Sequence, residues 1–201
     1  MARLKTETWP QHQAAETSDF QRRLAKGEVD VEGYGQWLGQ MLLVHRALET
    51  RLRDATVRDP RIATVVTEEQ YQEPYLVADL QHLGIDTTTI TPLRGTRGLI
   101  DRLASASPLE ILGMHYVLEG SNNGNRFIVR AVRKALGLNE GHGDRYLDPY
   151  GESQREKWAA FKREMDAATW SVGEADALVT AAKAMFSGIG AVSADLHAAT
   201  S

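Results

Sequence analysis

The 201-residue sequence predicts an all-α protein with six to eight helices. Two observations support this fold class. First, residues that can face a core recur at three- and four-residue steps after Asp30, which is the pattern of an amphipathic helix; they are Val31, Tyr34, Leu38, Met41, His45 and Leu48. Second, Ser107 and Ser171 are each followed three residues later by a glutamate, which is the capping box that begins a helix.

Helix caps and breakers set the expected order of the elements. Thr8 caps a first helix that Gly27 ends, and Asp30 caps a second helix that runs to the Asp59-Pro60 break. The expected helices span about 8–26, 31–58, 68–83, 107–136, 152–169 and 171–197. The segment 85–97, with several threonines and a proline, fits either a short strand or an extended crossing.

The composition favours one soluble domain over residues 1–201. A hydrophobic content of 42% supplies a core, and no linker rich in proline or glycine divides the chain. The absence of cysteine excludes disulfides and thiolate metal sites, and a net charge of -4 argues against a nucleic-acid partner. No N-terminal run resembles a signal peptide, and no segment looks long and apolar enough to span a bilayer. We therefore expect a cytoplasmic protein without a membrane partner.

The run from Gly120 through Ser121 to Gly124 is the most informative local feature. It lies inside an otherwise good helical segment, where each glycine costs roughly 0.5–1 kcal/mol relative to alanine. Two glycines are explained if the backbone must bend, or must approach a flat group that a side chain would push away. The run is not a phosphate-binding loop, because it lacks the G-K-[ST] sequence and a preceding strand.

A histidine and a glutamate near the N-terminus form the second local signal. His12 and Glu16 lie one helical turn apart on one face, so the carboxylate can orient the imidazole of a metal ligand. A solvated helix face would explain the same spacing. Of the other histidines, His45 fits the core, whereas His115 precedes the glycine-rich run by just over a turn and is a candidate to line the same cofactor cavity. Together the two signals indicate a planar metal cofactor held between two helices.

These signals are part of a longer match, because the sequence resembles the biliverdin-producing haem oxygenases, in particular their bacterial branch. Residues 12–20 (HQAAETSDF) and 26–29 (KGEV) are similar to the proximal-helix signature of that family. Residues 116–121 (YVLEGS) resemble the start of its distal helix, and residues 158–162 and 182–186 resemble its two C-terminal helices. The matching segments keep the family's order over nearly the whole chain.

The resemblance implies a single-domain helical bundle with haem between a proximal N-terminal helix and a kinked, glycine-rich distal helix. It makes His12 the iron ligand, with Glu16 bonded to the other imidazole nitrogen. It also assigns Lys5 and Lys162 to the haem propionates and Phe186 to a haem contact.

On the distal side, the resemblance places Gly120, Ser121, Gly124 and Asn125 at the catalytic centre, where small residues let the backbone come close to O₂. Two of these positions depart from the common pattern. Asn125 replaces the second glycine of the pair that usually ends the distal motif. Ser121 stands where the mammalian branch has an aspartate that organises water.

The implied function is the O₂- and electron-dependent cleavage of haem to biliverdin, CO and Fe²⁺, with haem as both substrate and cofactor. One alternative is a non-catalytic haem carrier or sensor on the same fold, with Asn125 blocking the chemistry. Another is a bundle that holds a non-haem iron pair, but the sequence lacks the set of glutamate and Glu-x-x-His ligands that such a site needs.

The implied partners are an electron donor, such as a ferredoxin or a flavin reductase, and a bilin-binding photoreceptor as a candidate user of the product. Four basic residues follow the glycine-rich run on one predicted helix: Arg126, Arg130, Arg133 and Lys134. They form either a plain solvated face or a docking surface for an acidic redox protein.

Overall fold

Residues 1–199 are described by the computed structural model, and within them the chain forms nine α-helices, two short 3₁₀ turns and no strand. The α-helices are α1 (Ala2–Glu16), α2 (Asp19–Lys26), α3 (Val31–Arg58), α4 (Pro60–Val65), α5 (Glu73–His82), α6 (Arg94–Ser105), α7 (Pro108–Leu136), α8 (Gln154–Ala167) and α9 (Val172–Ala199). The 3₁₀ turns, Glu68–Gln70 and Gly151–Ser153, precede α5 and α8. The predicted all-α fold class is confirmed, although the described residues hold more helices than the six to eight expected.

Helices α3 and α7 begin at the caps that the sequence predicts. The carboxylate of Asp30 accepts the N–H of Gly33 at 2.8 Å. At the start of α7 the capping box is complete, because Ser107 Oγ accepts the Glu110 N–H and the Glu110 carboxylate accepts the Ser107 N–H at 2.8 Å. Helix α7 then runs to Gly137, whose left-handed conformation (φ 67°) ends it as expected.

The predicted first helix is wrong in two respects. Helix α1 begins near the N-terminus, so Thr8 lies inside it and donates its hydroxyl to the carbonyl four residues earlier, at 2.7 Å, instead of capping. The helix then breaks before Gly27. At the break the Thr17 hydroxyl donates to the carbonyl four residues earlier, at 2.8 Å, and Ser18 is extended. Hydroxyl side chains of this kind compete with the helical backbone for hydrogen bonds.

Two helices occupy segments in which the sequence predicts none. The Asp59-Pro60 pair ends α3 and also starts α4, since the Asp59 carboxylate accepts the Arg61 N–H at 2.9 Å and proline is tolerated in a first turn. Helix α6 begins within the segment expected to be irregular. Its Gly95 packs on α9 so closely that a Cβ would lie 2.7 Å from the Ala191 carbonyl carbon. This glycine therefore serves a helix contact and does not break the helix.

Helix α9 is the support on which the site is built, because α1, α2, α6 and α7 all pack against it. By length and composition its segment 172–198 is apolar enough to cross a membrane, because an 18-residue window within it reaches a mean hydropathy of 1.4. The expectation that no segment is apolar enough for a membrane span is therefore wrong on composition. The buried residues of α9, such as Leu178 and Met185, pack into the protein core, as those of a central bundle helix do.

Candidate functional site

A cavity of about 720 Å³ lies between α1 and α7. Its volume falls in the range of roughly 300–1,000 Å³ that is usual for small-molecule sites. Trp37 and Met41 of α3 contribute to its buried wall, and Trp158 of α8 and Phe186 of α9 line it further. Since most of the lining side chains are apolar, the cavity suits a large apolar ligand with few polar groups.

His12 lines the cavity from α1. Its ring stacks on Trp9, with centroids 5.3 Å apart, and meets Phe186 edge-on at 5.5 Å. Its Nδ1 atom is buried and lies 3.4 Å from a carboxylate oxygen of Glu16, beyond the usual N–H···O distance of about 2.7–3.2 Å. The aromatic contacts fix the imidazole plane, and a small movement of the exposed Glu16 side chain would close the hydrogen bond that the spacing predicts.

The opposite wall comes from α7, which continues as one α-helix through the glycine-rich run. Gly120 and Gly124 both line the cavity, but their surroundings differ. A Cβ at Gly120 would lie 3.3 Å from Cη2 of Trp158, whereas a Cβ at Gly124 would have none of the described atoms within 4 Å beyond the helix's own backbone. A side chain at Gly120 would thus press tightly on a neighbouring ring, whereas Gly124 leaves open space over the cavity.

The polar groups of the α7 wall are unequally available. The Ser121 hydroxyl donates to the Leu118 carbonyl at 2.7 Å, so its hydrogen is already used. Asn123 donates its amide to the Gly120 carbonyl at 2.9 Å. Asn125 is buried and lines the cavity, and its side chain has no hydrogen bond to any residue in the described range 1–199. Its amide therefore keeps two donors and an acceptor for a ligand or water.

Two cations, Lys5 and Lys162, are exposed and line the cavity. Within residues 1–199 neither has a carboxylate within ion-pair distance. The Lys162 ammonium lies 5.7 Å from the centre of the Trp158 ring. The predicted set is thus largely assembled: His12, Glu16, Lys5, Lys162, Phe186 and all four predicted catalytic residues line one cavity.

His115 is the exception, because it does not line this cavity. It is buried in the core, with its Nε2 2.8 Å from Oε1 of Gln70 and its ring edge-on to Phe161. Burial, and to a smaller extent nearby His45, lower its pKa to about 3. The expectation that His115 lines the cofactor cavity is therefore corrected: five residues before Gly120 is about 140° round the helix, so the side chain points away from the cavity into the core.

Several lining residues were not predicted as site residues. Tyr116 and Trp158 fall inside family-like segments but carry no chemical signal that separates them from core aromatics. Met41 lies on the stripe of α3 that simply indicates a buried face, and Trp37 directly precedes Leu38 of that stripe. Tyr146 comes from the irregular connection after α7, and no local pattern places such a residue at a cavity.

A buried carboxyl group lies on the far side of α7. Glu119 accepts the Tyr150 hydroxyl at 2.9 Å and lies 3.4 Å from the Asn122 amide. Burial raises its pKa to about 7. Glu119 does not line the main cavity, but it is adjacent in sequence to Gly120 and joins α7 to the connection that follows it.

The basic cluster after the glycine-rich run is partly neutralised within the protein. Arg126 lies 3.0 Å from a carboxylate oxygen of Glu152, and Arg133 pairs with Asp144. Arg130 and Lys134 are exposed and have no carboxylate within ion-pair distance in the part of the chain that the structure describes. No three or more histidine, aspartate or glutamate side chains among residues 1–199 are grouped as ligands for an ion.

Comparison with known proteins identifies the family. A sequence model described as heme oxygenase matches residues 1–195, while no curated protein matches the sequence significantly. The fold is similar to heme oxygenase-2 from Synechocystis sp. PCC 6803, solved in complex with heme and NO, with a TM-score of 0.91, 23% identity and coverage of 98% of this chain and 85% of that chain.

Two further solved structures agree. The heme oxygenase from Leptospira interrogans gives a TM-score of 0.85 at 21% identity, covering 96% of this chain and 97% of that one. Heme oxygenase 2 from Chlamydomonas reinhardtii, solved without heme, gives 0.84 at 25% identity, covering 96% and 95%. Since the family match extends over nearly the whole sequence and the fold agrees with it, the chain belongs to the haem oxygenase family.

Proposed function

We propose that the protein is a catalytically active haem oxygenase, which uses O₂ and electrons to cleave haem to biliverdin, CO and Fe²⁺. One observation carries this function. His12 on α1 and the glycine face of α7 line the same apolar cavity, in a chain that belongs to the haem oxygenase family. The alternative of a carrier or sensor would use the same cavity without the chemistry.

The residues of the cavity fit haem, which is a flat apolar macrocycle with an iron at its centre and two carboxylates at one edge. The apolar walls match the macrocycle. His12 offers one nitrogen donor, which is sufficient for an iron that is already held by four ring nitrogens. Lys5 and Lys162 are exposed cations suited to the two carboxylates. His12 would thus hold the iron, and the two lysines would hold the carboxylates.

When bound, haem supplies both the iron that activates O₂ and the carbon framework that is cleaved. The protein supplies position and hydrogen bonds. Glu16 would accept the N–H of His12 Nδ1 and so leave Nε2 free as the ligand atom. Gly124 leaves open space on the α7 side, and the free amide of Asn125 can donate to a water or to an oxygen atom. Ser121 has already used its hydrogen and offers only an acceptor.

The electrons would come from a redox protein such as a ferredoxin or a flavin reductase. Arg130 and Lys134 are the members of the basic cluster that remain exposed and unpaired within residues 1–199, so an acidic donor would bind there. A bilin-binding photoreceptor is a candidate acceptor of the product, and the cytoplasm is the expected location.

Titration with hemin, followed by reduction in air, tests this function in two steps. Wild type should develop the Soret band of a histidine-ligated haem, and then form biliverdin and CO with ascorbate or a ferredoxin system. His12→Ala should lose the histidine-ligated spectrum and regain it with added imidazole. His142→Ala removes an exposed loop histidine and serves as the matched control, which should behave as wild type.

The outcomes separate the alternatives. A His12→Ala protein with an unchanged ferrous spectrum would place the iron ligand elsewhere. A wild type that binds haem but forms no biliverdin, while Asn125→Gly does, would establish the carrier.

A further inference from the structure

A chain of three polar side chains lies behind the cavity wall. Tyr146 lines the cavity, and its hydroxyl oxygen lies 3.2 Å from Nε2 of His45. The other ring nitrogen of His45, Nδ1, lies 2.9 Å from Oε1 of Glu49. All three side chains are buried, and the rings of Tyr146 and His45 meet edge-on with centroids 5.2 Å apart. No part of the mechanism above uses these groups.

The hydrogen bonds of Glu49 define the state of His45. The same oxygen, Oε1, also accepts the backbone N–H groups of Gln72, at 2.7 Å, and Glu73, at 3.0 Å. Two backbone N–H donors that converge on this oxygen stabilise a carboxylate anion, which can only accept a hydrogen bond from the imidazole. His45 Nδ1 must therefore carry a hydrogen, which leaves Nε2 as the nitrogen that gains or loses a proton towards Tyr146.

Two arrangements of the chain follow. When Nε2 is bare, it accepts the hydrogen of the Tyr146 hydroxyl. When Nε2 is protonated, it donates to the Tyr146 oxygen, and the hydroxyl hydrogen must point elsewhere. The anionic Glu49 compensates the buried imidazolium in this second arrangement. His115, the other titratable group close to His45, stays neutral, because burial lowers its pKa to about 3 and it adds no opposing charge.

We propose that Tyr146, His45 and Glu49 store one proton beside the cavity and release it there through the Tyr146 hydroxyl. The proposal rests on the O₂-dependent function proposed above, because O₂ takes up protons as it is reduced. In the release step the Tyr146 O–H bond breaks and its proton passes to an oxygen atom in the cavity. The His45 Nε2–H bond breaks at the same time, and its proton restores the Tyr146 hydroxyl. The cavity gains one positive charge, His45 becomes neutral, and the reverse transfer from water in the cavity refills the store.

Tyr146→Phe removes the exit of the store while keeping the ring. Tyr34→Phe is the matched control, because Tyr34 is also a buried tyrosine that stacks on Trp37, but it donates to the Gly143 carbonyl at 2.9 Å and does not line the cavity. Nitrogen-15 NMR of the haem-free protein reads the store directly. As the pH falls, His45 should gain a proton at Nε2 while Nδ1 stays protonated. This titration should move in Tyr146→Phe and stay unchanged in Tyr34→Phe.

Turnover tests the release. Tyr146→Phe should bind haem within twofold of the wild-type affinity and keep the Soret band. It should form biliverdin at least about tenfold more slowly, with a larger solvent deuterium isotope effect, since a positioned acid contributes on the order of 10²–10⁴ in rate. His45→Gln should show the same loss. Equal turnover in Tyr146→Phe and Tyr34→Phe, or a His45 ring that gains no proton at Nε2, would overturn the proposal. A wild type that binds haem but forms no biliverdin overturns the proposed function and the release step, and the nitrogen titration then shows separately whether the store exists.

Discussion

The two walls of the cavity are built in different ways. Helix α7 is buried without interruption from Ile111 to Glu119 and begins with a complete capping box. Helix α1 has only Leu4 and Thr8 buried among its fifteen residues. It also makes exposed ion pairs, such as that of Arg3 with Asp176, and pairs of this kind contribute little to stability because solvent and salt screen them. The α7 wall is thus held by the protein core, whereas α1 buries few side chains of its own and rests on the surface of α9.

The largest expected effect concerns the buried carboxyl group of the α7 side. The pKa of Glu119 is about 7 in the folded protein, against an ordinary value of 4.5. Because folding raises the pKa of this carboxyl group, its favourable contribution to the free energy of unfolding is fully present below pH 4.5. That contribution is lost as the pH rises through 7. Glu119→Gln keeps an acceptor for Tyr150 and removes this loss. Its free energy of unfolding, relative to wild type, should rise by about 3 kcal/mol between pH 4.5 and pH 8.

Urea unfolding across this pH range measures the effect. Glu152→Gln, which alters an exposed carboxylate, is the control and should follow wild type. Buried Asp79, whose pKa is raised to about 6, adds a decline that wild type and both variants share. Parallel curves for wild type and Glu119→Gln would contradict the prediction.

The second prediction compares local opening of the two walls. Without haem, the amides of α1 should exchange with solvent much faster than those of residues 111–119 in α7, because few buried contacts hold α1. Haem at about one hundred times its Kd should slow α1 exchange by about 100-fold, since local opening then releases the ligand. Hydrogen exchange followed by mass spectrometry provides the measurement. Equal protection of both helices in the haem-free protein would remove the contrast.

The third prediction separates the two glycines of α7. Gly120→Val should lower the free energy of unfolding by about 1–3 kcal/mol, because its side chain collides with Trp158. Gly124→Val meets open space, so its stability should stay near wild type while hemin affinity or turnover falls. Thermal unfolding and hemin titration of both variants check this. A Gly124→Val protein with normal affinity and turnover would show that the open space has no role.

The smallest expected effect contrasts the anchors of the two helices. Ser107→Ala removes the capping box of α7 and should cost about 1 kcal/mol. Arg3→Ala removes exposed ion pairs of α1 and should cost less than Ser107→Ala does, with most of that loss disappearing in high salt. Denaturant titrations of the haem-free variants in low and high salt measure both values. A larger cost for Arg3→Ala would mean that α1 is anchored by charge more firmly than its exposure indicates.

Local chemistry explains which parts of the fold could be predicted from the sequence. Asp30, Ser107 and Gly137 act within a few residues of their own position, so their effects are visible in the sequence. The contact of Gly95 with α9 joins residues almost one hundred positions apart, and without it α6 looked irregular. The break at Thr17 involves hydroxyl groups that can form hydrogen bonds either inside a helix or at a helix end. The spacing of residues in the sequence does not predict which of the two occurs.

The site shows the same limit. His12 and Glu16 lie on one turn, and Gly120 and Gly124 lie on another, so each pair is visible without a structure. Tyr146 lies in an irregular connection that is tied to α5, where Asp79 accepts the backbone N–H of Tyr146 at 2.8 Å, and no local sequence pattern reveals such a long-range contact. Which face of α7 meets the ligand also depends on the bundle, and for this reason His115 was wrongly assigned to the cavity.

The pairing of Arg126 with Glu152 and of Arg133 with Asp144 has a consequence for encounter rates. Four basic residues in one stretch of sequence suggest a strong positive electrostatic potential at the surface. Two of them, however, form ion pairs with carboxylates of the same protein, which neutralises much of their charge. Within this cluster, Arg130 and Lys134 would therefore provide most of the attraction on an approaching acidic protein. Salt screening limits the range of that attraction to about 8–10 Å at physiological ionic strength. Association with an acidic protein at this surface should then be only moderately fast and only moderately sensitive to salt, and its specificity would rest on the shape of the contact more than on attraction from a distance.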